Sequence, residues 1–129
     1  MGVDMKELRE MTDKLPSLGN IIIEKRDNSV VYNVNGTALG FGLYNSKDVA
    51  VQRVFMSKDT TFDQHVHSVH EWGIVYKGKV VFHYDGEQKE VGEGQMIYLE
   101  PNHPHRGMIL EDTWIIFITV PSDEGYPNG

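Results

Sequence analysis

Five of the six histidines in the chain fall into two short clusters of residue types that bind metals. The first cluster is the segment HVHSVHE at residues 65–71, and the second is the pair His103 and His105. Imidazole nitrogen and carboxylate oxygen are ligands that divalent Fe, Mn, Ni and Zn accept. The sequence therefore predicts one divalent transition-metal site assembled from both clusters.

The spacing within the first cluster indicates which of its side chains share a face. Residues two apart in a strand point the same way, so His65 and His67 can chelate one ion. A short turn after His67 would bring Glu71 beside them at the start of the next strand. His105, which begins a predicted strand, is the best candidate for a fourth ligand. His70 has the wrong parity and is interpreted as a rim residue.

Composition limits the class of protein that holds these residues. The absence of cysteine excludes thiolate ligands and iron–sulfur clusters, and it makes a reducing cytoplasm the natural setting. The net charge of −7, with scattered Lys and Arg, argues against nucleic acid as a partner. No apolar run approaches the length of a membrane span, so no membrane partner is expected.

The elements that position the clusters are predicted to be short strands. Runs rich in Val, Ile, Tyr and Phe alternate with turn residues from residue 19 to 120, which indicates a single all-β sandwich or barrel of about ten strands. Residues 1–18 are predicted to form a short N-terminal helix and lead-in, since Asp4 and Glu7 resemble a capping box and Pro16 is expected to end the helix. Residues 121–129 are predicted to be a loosely ordered tail.

Glycine-containing turns predict how several of these strands pair. Asn35-Gly36 and Asp85-Gly86 each indicate a hairpin, the first of them between strands at 30–34 and 37–43. The strands at 71–77 and 79–84 are predicted to pair across Gly78. Ser57-Lys58-Asp59 is predicted to turn the chain toward the histidines.

These residues resemble the two conserved motifs of the cupin superfamily. His65-Val-His67, Glu71 and Gly78 are similar to the first motif in its germin-like form, and Gly94 with His105 is similar to the second. The resemblance covers residues 51–120. It implies a small jelly-roll β-barrel in which three histidines and a glutamate, here His65, His67, Glu71 and His105, hold one divalent ion.

The chain departs from the family pattern at several positions. Asp59 stands where the first motif usually has glycine, and Asp tolerates left-handed backbone geometry better than most residues. In the second motif Glu100 replaces a proline, Asn102 replaces a glycine and Ile109 replaces an asparagine. Glu100 is either a solvated loop carboxylate or a catalytic acid or base. His103 lies in a proline-rich loop, either behind the metal ligands, at the mouth of the site, or apart from both.

Two classes of function follow from the resemblance. In the first, the chain is an enzyme that uses the metal to activate O₂, as a dioxygenase does, or as a Lewis acid for isomerase, decarboxylase or lyase chemistry on a small polar metabolite. Glu71 would then leave the metal to act as a base, and Glu100, His103 or a tyrosine would transfer further protons. In the second, the chain binds or senses a small ligand without turnover. The resemblance also implies a homodimer formed through edge strands.

Overall fold

The structure, a computed structural model, describes residues 29–122. The predicted N-terminal helix and lead-in, the first ten residues of the predicted barrel (19–28) and most of the predicted tail lie outside the described residues, so the domain limits at 18 and 120 stay predictions. All the regular secondary structure assigned in the described range is β-strand. No helix there is long and apolar enough to cross a membrane. The strands are β1 (Ser29–Val31), β2 (Ala38–Asn45), β3 (Ala50–Met56), β4 (Thr61–His65), β5 (His70–Lys77), β6 (Lys79–Tyr84), β7 (Glu87–Gly92), β8 (Met96–Leu99), β9 (His105–Ile109) and β10 (Thr113–Val120).

The strands form two antiparallel sheets that face each other. The larger sheet has the order β1-β2-β3-β10-β5-β8, and the smaller has the order β4-β9-β6-β7. The chain changes sheet between β3 and β4, β4 and β5, β5 and β6, β7 and β8, β8 and β9, and β9 and β10. This repeated crossing around one core makes a jelly-roll barrel, and the predicted all-β fold class is confirmed.

The predicted pairing of residues 71–77 with residues 79–84 is wrong. β5 pairs with β10 and β8, whereas β6 pairs with β7 and β9. Gly78 is a corner between the sheets: its φ is +99°, and a Cβ there would lie 2.3 Å from Oγ1 of Thr113. The glycine therefore permits a left-handed backbone conformation against a buried threonine, and the two strands diverge from it.

The hairpin predicted at Asn35-Gly36 is present with a longer connection than two residues. β1 ends at Val31 and pairs antiparallel with β2, so residues 32–37 join them. Asn35 exchanges two backbone hydrogen bonds of 2.9 Å with Thr61, the first residue of β4. The predicted strand at 30–34 is shorter than expected because the chain leaves β2 after Tyr32, whose N–H bonds to the carbonyl of Ala38, and crosses to the opposite sheet at Asn35.

Three turns rest on Asp or Asn residues in the left-handed conformation. Asp59 has φ 70° and Asn102 has φ 59°, and these are the positions at which the family pattern has glycine. The prediction that Asp59 preserves the turn before the histidines is confirmed. Asp85 and Gly86, with φ 55° and 71°, make the predicted hairpin turn between β6 and β7.

The core lies between the sheets, where every second residue of a strand points inward. On β3 the buried positions are Ala50, Gln52, Val54 and Met56, and β10 shows the same alternation. The inward row of β3 is apolar except for Gln52, which is 3% exposed. The buried hydrophobic cluster comprises Ala38, Ala50, Val54, Met56, Val75, Val80, Phe82, Val91, Leu99, Ile109, Ile115 and Phe117.

Candidate metal centre and its cavity

Three histidines from the two sequence clusters meet at one end of the barrel. His65 is the last residue of β4 and lies opposite His105, the first residue of β9, in the strand register. His67 follows in the connection to β5. The ring centroids are 4.3 Å apart for His65 and His105, 4.8 Å for His65 and His67, and 5.4 Å for His67 and His105. One ligand nitrogen from each ring lies within 4.8 Å of the other two, so the three residues could hold a metal ion.

Backbone carbonyls fix the orientation of two of these imidazoles. Nδ1 of His65 lies 2.7 Å from the carbonyl oxygen of Asp63, and Nδ1 of His105 lies 3.0 Å from that of His103. A carbonyl only accepts hydrogen bonds, so each Nδ1 carries the proton and donates it. The lone pair of Nε2 is then left for a metal, which is the usual arrangement of a metal-binding histidine. The donor set therefore fits a divalent transition metal.

Burial keeps His105 in the neutral form that a metal requires. The residue is 2% exposed. Desolvation, with smaller contributions from the neighbouring His65, His67 and His103 side chains, lowers the pKa of His105 to about 4, although the hydrogen bond to the carbonyl of His103 favours the protonated form. At neutral pH no proton has to leave His105 before a metal binds.

Glu71 lies beside the three histidines but is not part of their tightest cluster. It is the second residue of β5, is 5% exposed, and has Oε2 at 3.6 Å from Nε2 of His67. The group whose ligand atoms all lie within 4.8 Å of one another contains only histidines among the described residues. The structure thus brings all four predicted ligands to one place, and the role of Glu71 as the fourth ligand stays a prediction.

A cavity of about 400 Å³ opens between the two sheets next to the histidines. His65, His67 and Glu71 line it at one end, and His105 packs behind them against their rings. The remaining walls come mainly from inward-facing side chains of the two sheets and from the connection after β1. They are Tyr32, Asn33, Val34, Asn35, Ala38, Gln52, Val54, Met56, Phe62, Asp63, Gln64, Phe82 and Phe117.

The two other predicted catalytic residues lie away from the described cavity walls. His103 places Nε2 2.6 Å from Oδ1 of Asp85, and its ring stacks on Tyr84 with centroids 4.1 Å apart. The hydroxyl of Tyr84 donates a hydrogen bond of 3.1 Å to Oε1 of Glu100. Neither Glu100 nor His103 lines the cavity. Their roles in proton transfer stay predictions, while the backbone of His103 already has a role in orienting His105.

His70 is separated from the other histidines of its cluster by its contacts. Its Nδ1 lies 2.6 Å from the hydroxyl of Tyr98, and its ring stacks on Trp72 and Tyr98. His70 is exposed and is not among the cavity-lining residues. Its exclusion from the predicted ligand set agrees with this placement, and its position on the rim stays a prediction.

Sequence reasoning missed the polar pair in the wall of the cavity. The hydroxyl of Tyr32 donates a hydrogen bond of 2.6 Å to Oε1 of Gln52. The alternation of β3 contained a signal for Gln52, since it is the polar residue in an otherwise apolar inward row. Tyr32 lies in the connection between β1 and β2, and no periodicity in the sequence indicates where its side chain goes.

The two sheets and the histidine cluster define a jelly-roll barrel with a candidate metal centre. A family model described as a cupin domain matches residues 52–120, just over half of the chain. This chain therefore belongs to the cupin family, as its two motifs indicated. Comparison with curated protein sequences gave no match.

Solved structures with a similar fold include three bacterial proteins. KdgF from Halomonas sp. has 18% identity and a TM-score of 0.64, with 67% of this chain and 81% of that chain covered. An RmlC-like cupin from Shewanella frigidimarina has 18% identity and a TM-score of 0.66, covering 84% and 91%. A predicted oxalate decarboxylase from Thermotoga maritima has 13% identity and a TM-score of 0.68, covering 79% and 100%. At such identities the likeness shows the fold alone.

Proposed function

We propose that this chain is a metal-dependent cupin enzyme that acts on a small molecule. The observation that supports the proposal is the position of the three histidines beside a cavity of about 400 Å³. A structural metal is usually enclosed by four protein ligands, whereas a catalytic metal keeps a position for water or substrate. Small-molecule sites commonly have volumes of about 300–1,000 Å³, so this cavity has room for a substrate next to the metal.

A divalent ion of Fe, Mn, Ni or Zn bound there would supply either O₂ activation or Lewis-acid polarisation of a substrate oxygen. The side chains of this chain have three tasks around it. His65 and His105 present Nε2 to the ion because their Nδ1 atoms are held by backbone carbonyls. Glu71, buried beside His67, either completes the ligand set or accepts a proton from the substrate. The apolar walls keep water from the reacting end of the substrate.

A non-catalytic role in binding a small ligand is the second candidate function. The observation that favours it is the position of Glu100 and His103, whose side chains contact Tyr84 and Asp85 and do not line the cavity. Among the described residues that line it, the acidic groups are Asp63 and Glu71. Turnover would then depend on Glu71 or on the metal itself for proton transfer.

Elemental analysis and oxygen uptake distinguish these functions. We expect the purified chain to contain about one divalent ion per molecule, and the double variant His65→Ala/His67→Ala to contain none while keeping its β-sheet circular dichroism. The variant His70→Ala, which removes an imidazole outside the cluster, is the matched control and should keep its metal. Stoichiometric metal in the double variant would show that the ligands are elsewhere.

Turnover is then assayed on the metal-loaded protein. Iron together with substrate-dependent oxygen uptake on a panel of diketones, thiols and phenols supports the dioxygenase branch. Zinc without oxygen uptake excludes the dioxygenase branch. Isomerase, decarboxylase or lyase chemistry then remains, and product analysis distinguishes these reactions. Ligand binding without product under either metal would favour the binding module. The similarity to a predicted oxalate decarboxylase is a reason to include oxalate in the panel.

We also propose that the chain acts in the cytoplasm as a homodimer whose copies meet on the outer face of the larger sheet. Trp114 on this face contacts the rings of Phe41, Phe55 and Tyr76, and the guanidinium of Arg53 lies 5.2 Å above its ring. Light scattering on the wild type should give a dimer, and Trp114→Glu should give a folded monomer. A monomeric wild type would contradict the proposal.

A further inference from the structure

The cavity offers no cationic side chain from the described part of the chain. The sixteen lining residues that the structure describes include neither Lys nor Arg, while Asp63 and Glu71 contribute carboxylates. A metal ion can neutralise negative charge at the end of a ligand that it binds. A second negative charge further along the ligand would lose its hydration and find no counter-ion, which is strongly unfavourable. Within residues 29–122 the cavity walls therefore favour a ligand with no negative charge beyond its metal-binding end.

The walls beyond the metal end are largely apolar. Seven of the lining residues have hydrophobic side chains, and three of these are the rings of Phe62, Phe82 and Phe117. Phe62 packs edge-on against Phe82, with centroids 5.8 Å apart, so the two rings form a continuous apolar wall. Ligand binding to such apolar walls is most favourable when the ligand itself buries apolar surface against them.

Beyond the metal end, Gln52 is the polar residue among the inward-facing strand side chains, whereas Tyr32, Asn33 and Asn35 belong to the connection after β1. Gln52 is 3% exposed, and its Oε1 accepts the hydrogen bond from Tyr32. Within residues 29–122 its Nε2 donates to no group, although the residue lines the cavity. A Cβ at Gly40 would lie 2.6 Å from Oε1 of Gln52 and 2.7 Å from Cε2 of Tyr32, so the glycine leaves space for the pair. The amide is thus fixed through its oxygen, with its N–H donors left for a ligand.

The strand register places Gln52 beyond the metal end of the cavity. Ala50 of β3 and Glu71 of β5 are both partners of Thr119 and so lie in one layer of the barrel. Gln52 lies two residues further along β3, which is about 7 Å of strand. A ligand that touches both the metal centre and Gln52 must therefore extend across the apolar section between them.

We propose that the ligand of this site is a neutral, largely apolar molecule with oxygen donors at its metal-binding end and a hydrogen-bond acceptor at its far end for Gln52. The inference rests on the proposed function in one respect, which is that a metal ion holds the metal-binding end of the ligand. Its chemical class is less polar than the small polar metabolite expected from the sequence. It also differs from a dicarboxylate such as oxalate, which is short and doubly charged.

Three probes of matched size test the far end of the site. Each is a 1-phenyl-1,3-butanedione, whose diketone binds metals, with an acetyl, an isopropyl or a carboxylate group at the para position. All three substituents have three non-hydrogen atoms, so they differ in hydrogen bonding and charge rather than in bulk. Calorimetric titration of the metal-loaded protein should give the tightest binding for acetyl. We expect the isopropyl probe to bind about tenfold more weakly than the acetyl probe, which corresponds to about 1.4 kcal/mol. The carboxylate probe should bind more weakly still.

Gln52→Leu removes the N–H donors at similar volume and should make the acetyl and isopropyl probes bind equally. Gln64→Leu, the same substitution at an exposed lining residue, is the control and should keep the difference. Tightest binding by the carboxylate probe, or an unchanged acetyl preference in Gln52→Leu, would overturn the inference. So would the failure of all three probes to bind a protein shown to carry metal.

The metal content of every sample is measured first, so that failure of the proposed function is seen separately. If the wild type holds no metal, the proposed function fails and the titrations are repeated on the metal-free protein. The inference about the cavity still requires acetyl to bind more tightly than isopropyl or carboxylate there. Equal binding, or none, would then overturn it as well.

Discussion

Gly107→Ala tests the packing that connects the core to the histidine cluster. Gly107 faces the ring of Phe62 across the β4–β9 pair. A Cβ at this position would lie 2.4 Å from Cζ of Phe62, 2.8 Å from its Cε1 and 2.8 Å from the carbonyl oxygen of Val81. Carbon atoms pack best at about 3.5–4.0 Å, so the shortfall exceeds an ångström at Cζ, and a backbone oxygen is crowded as well as the ring.

The size of the effect follows from these contacts. Overpacking a core position costs about 1–3 kcal/mol, from which about 0.5–1 kcal/mol is recovered because alanine loses less backbone entropy than glycine on folding. We expect Gly107→Ala to lower the free energy of unfolding by ~1–2 kcal/mol in urea titrations. Phe62 also contacts His65, with centroids 5.6 Å apart. A displaced ring should therefore weaken metal binding, by about tenfold if His65 behaves like other ligands that lose a neighbouring support.

Two further variants make this prediction refutable. Gly92→Ala is the matched control, since its Cβ would meet no atom closer than 3.9 Å and its free energy of unfolding should stay within about 0.5 kcal/mol of the wild type. Phe62→Leu should relieve part of the cost of Gly107→Ala, so that the double variant is more stable than the sum of the single effects predicts. An unfolding midpoint for Gly107→Ala equal to that of Gly92→Ala would refute the packing described here.

Two more predictions concern His105 and its support. In chelator-treated protein, the pKa of His105 is about 4, below its ordinary value of 6.5, because the residue is buried. The unfolded chain therefore takes up a proton that the folded chain does not bind. Stability is therefore unaffected above about pH 6.5 and falls below it, by up to ~2 kcal/mol at about pH 5, as urea titrations at the two pH values would show. His105→Gln should lose most of this pH dependence, and an equal slope in the variant would contradict the assignment. Separately, Asp85→Gly keeps the left-handed backbone of the turn but frees the ring of His103, whose carbonyl orients His105, and should weaken metal affinity about tenfold in a chelator competition. Unchanged affinity would show that the loop holds its position without Asp85.

The sequence predicted those features that depend on local residue chemistry. The turns at Asp59 and Asp85-Gly86 were predictable because Asp and Gly tolerate a positive φ. The strands were predictable because buried and exposed residues alternate along them, as on β3. The meeting of His65 and His67 with His105 followed from the family pattern, since nothing in local spacing indicates which distant strands pair.

The features that sequence reasoning missed depend on contacts between distant residues. Gly78 was predicted to be a hairpin turn, and only its contact with Thr113 of β10 makes it a corner between sheets. The connection after β1 is longer than Asn35-Gly36 indicated because Asn35 bonds to β4. Glu100 and His103 were considered for catalysis because of their place in the sequence. Their partners in the fold, Tyr84 and Asp85, come from the β6–β7 hairpin, which sequence distance does not reveal.

The register of β4 against β9 shows why regular alternation along a strand does not by itself place the metal-site residues. Phe62 pairs with Gly107 and His65 pairs with His105, and the register shifts between these two pairs. Phe62 and His65 are three residues apart, so an unbroken strand would point them to opposite faces. Both nevertheless line the cavity. The irregularity inserts one extra residue on β4, as a β-bulge does, and turns His65 inward against His105. Without it, Gln64 would stand opposite His105, and the inward imidazole on which the metal centre depends would face outward.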